Sequence, residues 1–153
     1  MKTGIIIYSS TGNTRKAARQ LLEAIEKKGQ QATLLEVKAS NEKPEMDGKK
    51  IHLTEQPDPS GFDRLVFASP VWGFSLSGVM QAYLSALPSL KGKSVSLFVT
   101  HRFPLPFLGG NRTIKQMAAL CREKGGMVGE TSVISWSQNR REDDIARMVQ
   151  QLA

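Results

Sequence analysis

The chain is predicted to form a three-layer α/β/α domain, doubly wound around a five-stranded parallel sheet of order 2-1-3-4-5. Three observations point there. Short apolar runs alternate along the sequence with stretches of helical periodicity, the pattern of parallel strands joined by crossover helices. The length of 153 residues suits one domain with a sizeable core, and composition gives no reason to divide it, so residues 1–153 are read as a single unit. The loops with the least structural justification follow strands, and beyond strand ends is where an open parallel sheet binds its ligands.

Each element has its own justification. The first strand is the apolar run at residues 3–8. From Thr14 to Lys28, Ala17, Ala18, Leu21, Leu22 and Ile25 keep i, i+3/i+4 spacing, and Gly29 stops the helix. The second strand is ATLLEV at 32–37. Residues 39–61 lose all periodicity and collect Asn, Pro, Asp, Gly and Ser, so a long surface connection with little or no helix is expected there. DRLVFAS at 63–69 is the third strand, and Val79, Met80, Tyr83, Leu84 and Leu87 mark the helix after it, ended by Pro88. SVSLFVT at 94–100 is the fourth strand. Ile114, Met117, Ala118 and Cys121 share one face of a helix over 113–124, closed by Gly125 and Gly126. A fifth strand lies within MVGETSVISW, and the last helix carries Ile145, Met148, Val149 and Leu152.

Bulk composition narrows the function classes. An apolar fraction of 40% with 23% charged residues is ordinary for a soluble globular protein. Cys121 is the sole cysteine, which excludes an intrachain disulfide and fits a reducing cytoplasm. The apolar run at the N-terminus is too short for a signal peptide or a membrane span. Lys and Arg exceed Asp and Glu by 21 − 14, a net charge of +7. These basic residues are scattered with no run longer than a pair, which reads as solvated surface, and no nucleic-acid partner is expected.

The unusual residues gather in three loops that this topology brings to one mouth. SSTGNT follows the first strand. Ser9, Ser10, Thr11 and Thr14 supply hydroxyls, Gly12 permits a turn with inward N–H groups, and a helix N-terminus begins near Asn13. Such a loop can hold a phosphate dianion without a cationic side chain; the plainer alternative is a capped strand-to-helix turn, which needs only one hydroxyl. After the third strand come Ser69, Pro70, Val71, Trp72, Gly73 and Phe74, whose aromatics can cover a flat ring or pack beneath the loop. After the fourth come Thr100, His101 and Arg102, then a stretch stiffened by Pro104 and Pro106 that runs to Gly109 and Gly110. Its Phe103, Leu105, Phe107 and Leu108 form a lid, a protein contact, or a loop folded back on its own domain.

Together these loops resemble the flavodoxins. IIIYSSTGNTRKAARQL is similar to that family's signature, with Ser9, Gly12, Thr14 and Ala18 at matching positions and Ile7 where an aromatic is preferred. FASPVWGFSLSGVMQAYL at 67–84 is similar to the second flavin loop and its helix, and the likeness runs to about Trp136. The resemblance implies a flavodoxin-like domain that binds FMN non-covalently. Residues Ser9 to Thr14 would hold the phosphate, and Ser69 to Phe74 with Thr100, His101, Arg102 and Gly110 would flank the ring. Two departures stand out: electron-shuttling flavodoxins are acidic whereas this chain is basic, and residues 100–111 contain no tyrosine to stack on the ring. His101 and Arg102 are expected near the ring, favouring its anionic reduced form.

Other readings of this topology fail on residues. A response-regulator receiver needs carboxylates at strand ends occupied here by Tyr8-Ser9 and Ala68-Ser69. A nucleotide triphosphatase loop needs Gly-Lys-Ser/Thr, which TGNTRK lacks. Cys121 and Trp136 are expected in the core and His52 in solvent, and no cluster has metal-ligand spacing. Two functions remain, with a flavin-free adaptor as a distant third. One is an electron carrier between redox proteins, favoured because no nicotinamide site is legible. The other is an NAD(P)H-dependent FMN reductase of quinones or other small acceptors.

Overall fold

The structure is a computed structural model that describes residues 1–41, 48–102 and 109–153. Along the chain run β1 (Lys2–Ile7), α1 (Asn13–Lys27), β2 (Gln31–Glu36), the short β3 (Lys38–Ala39) and β4 (Leu53–Glu55), and β5 (Arg64–Trp72). Then follow β6 (Ser75–Leu76), α2 (Gly78–Ala86), β7 (Ser94–His101), α3 (Gly110–Glu123), β8 (Met127–Ser135) and α4 (Arg141–Leu152). The five long strands pair in parallel in the order β2-β1-β5-β7-β8, the expected 2-1-3-4-5.

Strand alternation divides the apolar residues between two layers. Ile6, Tyr8, Leu65, Phe67, Leu97 and Val99 face α2 and α3, where Met80, Tyr83, Leu84, Met117 and Cys121 complete one core. Ile5, Ile7, Val66, Ala68, Phe98 and Ile134 face α1 and α4 and pack with Ala17, Leu21, Ile25, Ile145 and Met148. The central strands are buried on both sides, which is why they read as continuous apolar runs. Cys121 lies in the first core, and burial pushes its thiol up to about 12. Trp136 departs from the expected core position: it is half-buried at the margin of the second core, with the Arg141 guanidinium 4.8 Å from its ring centroid.

The connection after β2 has no α-helix among its described residues. Instead β3 and β4 pair antiparallel, and single 3₁₀ turns form at Gly48–Lys50 and Pro59–Gly61. The Tyr83 hydroxyl donates to the Pro57 carbonyl, fastening this stretch to α2. His52 is exposed, as expected.

The third strand is longer than its sequence suggests. Pro70 argues for an end at Ser69, yet β5 continues to Trp72 and turns back as β6, with Trp72 opposite Ser75 and Val71 opposite Leu76. Gly73 and Phe74 form the two-residue turn, both left-handed at φ 51° and 65°. Similarly, α3 begins at Gly110 rather than 113, with Gly109 at φ 99° as its N-cap. Among the described residues no helix is long and apolar enough to cross a membrane, and no His/Cys/Asp/Glu group could hold a metal ion.

Candidate functional site

Because β1, β5 and β7 are adjacent and parallel, their C-terminal ends deliver three loops to one edge of the sheet. A cavity of about 410 Å³ opens there. Ser10, Thr11 and Asn13 line it from the first loop, Pro70 to Phe74 from the hairpin, and Thr100, His101 and Arg102 from the end of β7.

The first loop is built to present the start of α1. Gly12 is the N-cap at φ 95°, a conformation costing a residue with a Cβ about 1–2 kcal/mol. It offers no side-chain cap of its own, and the first turn contains no acidic residue to offset the positive end of the helix. The four hydroxyls divide their work. Ser9 Oγ accepts from the Arg15 N–H at 3.3 Å, capping the turn, and Thr14 Oγ1 lies 2.9 Å from Thr100 Oγ1 in a buried bond across to β7. Ser10 and Thr11 are the two that line the cavity. Arg15 is drawn aside by Glu36 at the end of β2, its Nε and Nη2 each 2.8 Å from a carboxylate oxygen. That ion pair raises the arginine and holds Glu36 below the usual carboxylate range.

The hairpin supplies aromatic walls. Trp72 lines the cavity while packing edge-on against buried Tyr8, ring centroids 5.5 Å apart. Phe74 is 47% exposed at the tip, in a backbone region where a side chain is strained. Ser69 is buried behind the wall, its Oγ bonded to Ser77 Oγ at 2.9 Å, and Gly110 is buried at the start of α3. Neither they nor Ser9, Gly12 and Thr14 line the cavity; they shape it.

At the end of β7, His101 is 4% exposed. Burial pulls its imidazole below the ordinary value despite attraction from Asp144, with Arg140 acting in the same direction as burial. The ring is therefore neutral at pH 7, and the cation among the described residues that line the cavity is exposed Arg102. The aromatic residues Phe103 and Phe107 and the proposed lid lie outside the described residues.

Residues 1–122 match the NADPH-dependent FMN reductase family. The chain belongs to that family. It is a flavodoxin-like protein of an FMN-binding, NADPH-using family, and its solved neighbours share the fold. A putative flavoprotein from Bacteroides uniformis ATCC 8492 superposes with TM-score 0.71 at 16% identity, covering 98% of each chain. The Streptococcus pneumonia TIGR4 flavodoxin gives 0.67 at 15%, over 99% of this chain and 97% of that one. A WrbA-like protein from Agrobacterium tumefaciens gives 0.67 at 16%, over 99% and 94%. No curated sequence matches the chain.

The donor set of this family member suits FMN. A helix N-terminus with two free-facing hydroxyl residues answers a phosphate, and two aromatic residues around a glycine answer a flat heteroaromatic ring. Gly109 escaped the sequence reading as a site residue. A Cβ there would lie 2.5 Å from the Phe74 Cα, so the start of α3 seats directly against the hairpin. Only the Gly109–Gly110 doublet hinted at it.

Proposed function

We propose that the chain is an FMN-dependent oxidoreductase that draws electrons from NADPH and passes them to a small acceptor such as a quinone. The observation that carries it is the convergence of three loops on one cavity at the C-terminal edge of the sheet. Ser10, Thr11, Asn13 and the α1 N-terminus would bind the phosphate, and Trp72, Phe74 and the residues Thr100 to Arg102 would border the ring. Ser9, Gly12, Thr14, Ser69 and Gly110 would hold those contacts in place. When bound, FMN supplies the redox chemistry; these residues orient it and exclude water. The family match supports NADPH as the electron donor.

Purification without added cofactor tests the first half, with a visible spectrum and mass spectrometry of the released molecule expected to show FMN. Anaerobic mixing with NADPH tests the second, with bleaching of the flavin absorbance as the expected result. No uptake of added FMN would end the reading. A second reading, an electron carrier between redox proteins in a cytoplasmic setting, is favoured by exposed Arg102 at the mouth and by the +7 charge, which suit an acidic partner. Under that reading FMN still binds, but NADPH is not turned over without the partner.

A further inference from the structure

One side chain at the cavity has no employment in the fold. His101 lines the cavity, is 4% exposed, and among the described residues neither Nδ1 nor Nε2 has a hydrogen-bond partner. Buried polar groups are almost always paired, so the missing partner is sought in whatever fills the cavity. The residue itself is firmly placed. It pairs with Ser135 in the β7–β8 register, and its carbonyl accepts from the Trp136 N–H at 2.7 Å.

The groups around it are few. Asp144 on α4 attracts a proton to the ring; its own carboxylate accepts from the Ser135 N–H at 2.9 Å and pairs with Arg147 at 3.2 Å. Arg140, just before α4, repels a proton. Arg102 is the exposed chain neighbour, and on the other side of the sequence Thr100 bonds the neutral Thr14 hydroxyl of α1. A neutral imidazole with a carboxylate in range is poised to charge as soon as negative charge appears beside it.

We propose that His101 is the proton-accepting group of the site, taking a proton at its unprotonated ring nitrogen when the occupant of the cavity gains negative charge. This rests on the FMN reading above. NADPH delivers two electrons and one proton as hydride and leaves as NADP⁺, so one unit of negative charge stays in the cavity. His101 binds the compensating proton, which comes from solvent. Proton affinity at the imidazole and electron affinity at the cofactor are thereby linked.

The chain has two histidines, and the second, His52, is exposed in the connection after β2. FMN uptake is recorded first by visible spectrum. NMR titration of both imidazoles then follows in the FMN-loaded protein, oxidised and after dithionite reduction. The His101 pKa is expected to rise by one unit or more on reduction. Each unit is tenfold in proton affinity, about 30 mV for a two-electron couple. The midpoint of His101→Asn should therefore fall below that of the parent by about that amount per unit at acid pH and converge with it at alkaline pH. His101→Gln repeats the test should the Asn variant fold poorly. Equal His101 titration in both redox states overturns the proposal and leaves FMN binding intact. Failure of the unmodified protein to take up FMN overturns both.

Discussion

Phe74 shows how one residue trades stability for position. Its φ of 65° is the sole left-handed conformation at a non-glycine among the described residues, and its ring stays 47% exposed beside the cavity. Phe74→Gly is expected to stabilise the apo protein by about 1 kcal/mol in urea melts through relief of that strain, while weakening FMN binding several-fold by isothermal titration. His101 has a consequence for acid stability. Its folded imidazole lies below the ordinary 6.5, so between the two values the unfolded chain binds more protons. Stability is thus fully present above about 6.5 and falls as pH drops toward the folded value. Melting temperatures measured from pH 7.5 to 5 should decline, and His101→Asn should flatten that decline. Neither property is legible in the sequence. Turn type and burial emerge only when Gly73 meets the twist of β5 and when β8 and α4 close over the end of β7.

Among elements, the contact between the β5–β6 hairpin and the N-terminus of α3 couples two walls of the cavity. Gly109 allows it twice, through its φ of 99° and through the 2.5 Å that would separate a Cβ from the Phe74 backbone. Gly109→Ala is expected to cost about 2–4 kcal/mol in denaturant melts, combining the left-handed penalty with overpacking against main chain. Trp72 fluorescence should change as the hairpin shifts. The elements themselves were largely readable, since Ala17, Leu21 and Ile25 or Met117 and Cys121 can satisfy only one periodicity. The hairpin was not, because Pro70 lacks the N–H that a strand ordinarily uses. Nor was the division of the hydroxyls in the first loop: the Thr14–Thr100 bond spans 86 residues of sequence, and no local pattern announces it.

At the scale of the molecule, the balance of charge is basic. The net charge is +7, and Arg102 stands exposed at the mouth. Arg102→Glu is expected to lower the two-electron midpoint of the FMN-loaded protein by roughly 30 mV, a tenfold change in equilibrium constant, with the difference shrinking as salt rises. Redox titration at low and high ionic strength checks it; an unchanged midpoint at low salt removes Arg102 from the electrostatics of the site. The doubly wound topology was legible because alternating apolar runs allow few arrangements, whereas the convergence of side chains from β1, β5 and β7 became measurable only in three dimensions.

The sidedness of the two cores has a further effect. The family match stops at residue 122, yet Phe98 and Val66 owe part of their shelter to Ile134, Ile145 and Met148, contributed by β8 and α4. A fragment ending at that border would retain every described cavity-lining residue and still lack a roof over one face of β7. Its outer margin would be an open strand edge with apolar side chains uncovered, a template for self-association. The last thirty or so residues therefore cover apolar surface on one face of the central strands that the cavity-lining residues leave bare.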